Sequence, residues 1–143
     1  MLPYTLAILL GAFLLFQVQP IMAKVIMPWF GGSASVWAAC MLFFQVFLLL
    51  GYIYAHLSIR FLRPRAQALL HGALLAASLL LLRIVPDAAW KPTGSDNPVL
   101  KIATLLANGV GLPYFLLATT GPLMQAWYAR SHQAALPYRL FAV

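Results

Sequence analysis

The chain has 143 residues, 64% of them hydrophobic and 8% charged, with nine Lys or Arg against two Asp or Glu. Soluble domains carry about a quarter of their residues as charge, so a water-exposed surface is excluded and lipid is the natural solvent. The net charge of +7 is scattered between apolar runs instead of being gathered on one face, which argues against a nucleic-acid interface.

A spanning helix needs about 20 mostly apolar residues, and four segments meet that length. The first covers residues 4–23. No Lys or Arg precedes it and no small-x-small cleavage site ends it, so it reads as a retained span and not a signal peptide. Gln17, Pro20 and Lys24 fall at i, i+3 and i+7 on one face, and Pro20 frees the carbonyl of Phe16. That face is a candidate substrate path. The alternative is a packing amide, a proline kink and a lysine reaching the headgroups. Residues 28–33 form a tight turn, with Ser33 or Ser35 available to cap the next helix.

The second span covers residues 35–56. Cys40 within it is alone in the sequence, so it cannot form an intramolecular disulfide and reads as a small packing residue. Gln45 is the deep polar group, suited to an interhelical hydrogen bond. Tyr52, Tyr54 and His56 sit towards the boundary, where aromatic anchors are expected. Residues 60–65 make a short basic loop broken by Pro64.

The third span covers residues 66–85. Gln67, His71 and Ser78 form a polar stripe, with His71 a candidate ligand or a packing histidine. Beside it Ala68, Gly72 and Ala76 repeat at four-residue spacing, which allows helix backbones to approach closely. Residues 86–98 are the hydrophilic loop and hold both acidic residues, Asp87 and Asp96.

The fourth span covers residues 100–117, and Asn108, Gly109, Gly111 and Pro113 predict a flexible, unwound stretch or a simple bend. Thr119-Thr120-Gly121-Pro122 interrupts it. An amphipathic helix then follows over about 122–135, lying in the membrane interface; the alternative is a kinked continuation of the fourth span. The fold class is therefore all-α: an integral membrane bundle of four transmembrane helices plus a C-terminal interfacial helix, in one domain. By the positive-inside rule the side with Arg60, Arg63, Arg65, Arg130 and Arg139 faces the cytoplasm, against Lys24, Arg83, Lys91 and Lys101 on the other. Both termini then lie on the cytoplasmic side.

No Asp or Glu lies inside a span, which weakens a proton-coupled exporter. The sequence shows no phosphate-binding glycine loop, nucleophile–base pair or metal-ligand cluster, so neither a cofactor nor a catalytic residue is predicted. The expected partners are the lipid bilayer and a second copy or a larger membrane complex.

Three stretches carry a resemblance. Gln17-Val-Gln-Pro-Ile-Met-Ala-Lys24 runs into Met27-Pro-Trp-Phe-Gly-Gly-Ser33 and Val36-Trp37. Cys40-Met-Leu-Phe-Phe-Gln45 leads to Gly51-Tyr-Ile-Tyr-Ala-His56. Gly111-Leu-Pro-Tyr-Phe115 leads to Ala118-Thr-Thr-Gly-Pro-Leu-Met-Gln125-Ala-Trp127. Together they resemble the N-terminal membrane region of bacterial fused transporter-like (MFS-like) and spermidine synthase-like proteins. The resemblance implies a multi-pass protein of the bacterial inner membrane whose further helices and soluble domain resemble polyamine aminopropyltransferases. The glycine-rich acidic loop and catalytic aspartate of that domain are not in this sequence, so no catalytic role carries over. The apolar close at Pro137-Tyr-Arg-Leu-Phe-Ala-Val143 resembles the start of another helix, as expected of a fragment of such a fusion.

Overall fold

The computed structural model describes residues 2–82, 91 and 97–131. Every element among them is helical: α1 (Leu2–Phe30), α2 (Ala34–Phe61), α3 (Pro64–Leu80), α4 (Pro98–Leu106) and α5 (Leu112–Ser131), with a π-helical turn, Ala107–Gly111, joining the last two. Long uninterrupted apolar runs favour helix because all backbone groups are then satisfied within the segment, as a hydrocarbon environment requires. Three helices are long and apolar enough to cross a membrane: Leu2–Phe30, Ala34–Phe61 and the continuous Pro98–Ser131. The described residues are thus all-helical, with three helices fit to cross a membrane.

Several boundaries differ from the sequence reading. α1 runs on to Phe30 through both Pro20 and Pro28, leaving only Gly31, Gly32 and Ser33 as the turn. Gly31 takes a φ of 81° there, in the left-handed region where a side chain is strained. Ser33 caps α2 as expected, its Oγ accepting from the Val36 amide at 3.4 Å. α3 has 17 residues, a rise of about 26 Å, just short of the ~30 Å hydrocarbon thickness. Its expected end at 83–85 lies outside the described residues. α4 starts where Asn97 Oδ1 accepts from the Val99 and Leu100 amides and Pro98 occupies the first turn.

The largest departure is at the C-terminal end. Instead of stopping at 117 and restarting at 122 in the interface, α5 continues without a break through Pro122 to Ser131; residues 132–135 lie outside the described residues. Pro122 removes one hydrogen bond, to the Ala118 carbonyl, whereas ending the helix in an apolar setting would strand several backbone groups. The segment also has neighbours on more than one side. Leu123 and Tyr128 are buried, with Tyr4 meeting Tyr128 edge-on at 5.4 Å.

The contacts fix the directions of the helices. Along α1, Ile8 clusters with Tyr128, Gly11 abuts Thr120 and Gln19 reaches Tyr114, so α1 and α5 are antiparallel. Along α2, Phe47 abuts Gly111, Gly51 abuts Ala118 and the Ile59 carbonyl meets Arg130, so α2 and α5 are parallel. α3 leaves the C-terminal end of α2 and returns beside it. The centre is filled by Met22, Ile26, Phe44, Ile102, Leu105, Leu106 and Tyr114.

Candidate functional site

The polar centre of the molecule is built around Gln67, in the first turn of α3. Its side chain is fully buried, and a buried amide needs all of its partners. Gln67 Nε2 donates to Ser58 Oγ on α2 at 3.1 Å, and Ser58 Oγ in turn donates to the Ala55 carbonyl at 3.0 Å. Gln67 Oε1 accepts from Trp127 Nε1 at 3.0 Å and from Arg130 Nη1 at 3.0 Å, both on α5. The second Arg130 nitrogen, Nη2, donates to the Ile59 carbonyl at 3.0 Å. One glutamine thus joins three helices, and Arg130 closes one of the carbonyls left open near the end of α2.

His71 lies one turn further along α3 and is 5% exposed. Its ring stands 6.2 Å from that of Tyr54 and meets Trp127 edge-on at 6.3 Å. His71 Nδ1 and the Tyr54 hydroxyl are both buried without a hydrogen-bond partner. Ser78, the third member of the predicted stripe, is also buried. The stripe therefore faces inwards, as polar groups on a lipid-embedded helix should.

The polar residue that α1 turns inwards is Gln19, whose Nε2 donates to the Tyr114 hydroxyl at 2.7 Å. Gln17, Pro20 and Lys24 on α1 are exposed. Gln45 is exposed on the outer face of α2. Asn108 is exposed in the π-helical turn, its Nδ2 donating to the Thr104 carbonyl at 2.8 Å. That turn is wound, not unwound: Gly109 and Gly111 are buried, and Pro113, which cannot donate to the residue 109 carbonyl, suits the wider i→i+5 turn. Ala68, Gly72 and Ala76 are exposed, with nothing within 4 Å of a Cβ built on Gly72.

His71, a candidate ligand or packing histidine by sequence, lies between the Tyr54 and Trp127 rings, whereas the inward partners Gln19, Trp127 and Arg130 carried no such signal. Spacing could have found Gln19 only together with Tyr114, because polar residues on α1 fall on more than one face. Among the described residues no three His, Cys, Asp or Glu side chains come together. A hollow of about 390 Å³ between α2 and α4 is lined by side chains such as Leu42, Phe43, Val46 and Val99. The one hydroxyl there, Thr104, already donates to the Leu100 and Lys101 carbonyls at 3.0 Å each. This hollow offers contact to an apolar group and no chemistry. Compared with family models, with curated proteins and with solved structures, the chain has no match.

Proposed function

We propose that this chain is the membrane module of a spermidine synthase-like fusion protein and serves it as an anchor, with no catalysis of its own. The observation that carries the anchoring role is the filled centre of the bundle, where Met22, Phe44, Leu106 and Tyr114 meet. Of the side chains the sequence offered for a path, Gln17, Pro20, Lys24, Gln45 and Asn108 stand on outer faces, and His71 is buried among the Tyr54 and Trp127 rings. The family reading rests on the resembling motifs of the sequence. Gln19 with Tyr114, and Gly51 with Ala118, are pairs within those motifs that hold helices together.

A fourth crossing that includes α3 belongs to this reading. α5 runs parallel to α2, so α4 must start at the end opposite to the one where α3 begins. Lys91 lies over the Trp29 ring, 5.7 Å from its centroid, beside the α1–α2 turn. Arg60, Arg63, Arg65 and Arg130 share the other end, which we assign to the cytoplasm of a bacterial cell together with both termini.

Reconstitution in vesicles tests the anchor against a conduit. With radiolabelled spermidine or putrescine outside, uptake is expected to equal that of empty vesicles. Uptake that disappears in Lys24→Ala would replace the anchor by a polyamine conduit. The fusion reading is tested on the coding sequence: a continuing frame with a glycine-rich, aspartate-bearing soluble domain is the expected result. A stop codon directly after Val143 in the intact gene would remove it.

A second reading, a subunit that assembles with copies of itself or with a larger membrane complex, has its own observation. Gln17 and Gln45 present amides outwards from long apolar helices, and an amide facing lipid is stabilised by a partner helix. Detergent-corrected mass by light scattering reads this out. The assembly reading expects a mass above one chain that falls in Gln45→Leu, and a monomer at every concentration would end it.

A further inference from the structure

The α2–α3 connection concentrates positive charge. Arg60, Arg63 and Arg65 lie within six residues and are all exposed, and α5 brings Arg130 to the same end. The sequence has two acidic residues, Asp87 and Asp96. Neither is among the described residues, so no Asp or Glu among these faces the four guanidinium groups.

Two of the four are engaged locally. Arg130 is held by Gln67 and the Ile59 carbonyl, and Arg60 lies 5.5 Å from the centroid of the Phe61 ring. Arg63 and Arg65 remain, and together with Pro64, Ala66 and Leu69 they line an open hollow of about 570 Å³. Its lining is cationic at Arg63 and Arg65 and apolar at Pro64, Ala66 and Leu69, and Leu69 is 76% exposed. A matching occupant is anionic at one end and apolar at the other, and it must reside at the depth where a spanning helix meets its connecting loop.

We propose that this hollow holds the headgroup of an anionic phospholipid, the phosphodiester accepting from the Arg63 and Arg65 guanidinium groups while an acyl chain runs along Leu69. Planar guanidinium forks match phosphate oxygens, and basic clusters at the end of a spanning helix attract anionic lipid. A free phosphate leaves the exposed Leu69 side chain uncovered. A zwitterionic lipid sets its own ammonium among the arginines. The inference rests on the membrane placement of the helices and not on the spermidine synthase-like reading, so either can fail alone.

The test is lipid retention by the purified chain in mild detergent, exposed to equal phosphatidylglycerol and phosphatidylcholine and read by native mass spectrometry. At about 1 kcal/mol per arginine near an anionic surface, two arginines correspond to a preference of about 30-fold for phosphatidylglycerol. R63Q/R65Q is expected to bring the ratio close to one, and Lys101→Gln, at the other end, to leave it unchanged. Equal retention of the two lipids by the wild-type chain overturns the proposal, and this arm needs no variant to fold. A preference that survives in helical R63Q/R65Q, or that Lys101→Gln reduces as strongly, also overturns it, because net charge and not the hollow would then be responsible.

Discussion

Gln67 and Tyr54 make opposite cases for a buried polar atom. Gln67 satisfies Ser58, Trp127 and Arg130 at once, so Gln67→Leu leaves an indole N–H and a guanidinium N–H without their acceptor. The expected loss is about 1–2 kcal/mol, within the range for a stranded buried donor and near the top of that for hydrogen bonds between membrane helices. It is checked by thermal unfolding in detergent followed by helical circular dichroism. Gln67→Glu keeps an acceptor for Arg130 and is expected to fall between the two. Tyr54 carries a buried hydroxyl with no partner, so Tyr54→Phe is expected to be neutral or to raise stability by up to about 1 kcal/mol. A marked loss of stability in Tyr54→Phe would show that the hydroxyl is satisfied in solution.

Among the elements, two glycines separate packed from open helix faces. A Cβ on Gly51 would stand 2.7 Å from Ala118 Cβ and 3.0 Å from the Phe115 carbonyl oxygen, so α2 and α5 approach here backbone to backbone. Gly51→Ala must push them apart, at a cost of about 1–3 kcal/mol. Gly72 on α3 has nothing within 4 Å of the same position, so Gly72→Ala gains helix propensity of about 0.8–1 kcal/mol and loses no contact. The pair of melting temperatures should therefore move in opposite directions, and a shared direction would contradict the α2–α5 contact. Both glycines were visible in the sequence as small residues in apolar helices. The small-residue spacing drew notice to Gly72, whereas the close approach is at Gly51, because spacing reports that a helix can be approached and not by what. α1 and α5 run on through Pro28 and Pro122 for a related reason: in an apolar setting one missing hydrogen bond costs less than a helix end.

The whole molecule places the arginines of the α2–α3 connection and of α5 at one end, with the N-terminus of α1 beside them. Reporter fusions at Leu2 and after Ser131 are expected to show the same, cytoplasmic, side. Substituting Arg60, Arg63 and Arg65 by Gln should weaken that bias measurably, since orientation follows Lys and Arg near the span ends. Reporters active on opposite sides of the membrane would mean an odd number of crossings and would remove the fourth.

The amino-acid sequence alone determined that these segments are helices and that lipid is their solvent, because length without charge is a property of each segment by itself. Only the tertiary structure decided which side of each helix faces in. In water an apolar stripe marks the inner face, but here the protein interior and the bilayer are equally apolar, so periodicity carries little direction. Gln17 and Gln19 are two residues apart in the same apolar helix. It took Tyr114, 95 residues further along the chain, to select Gln19.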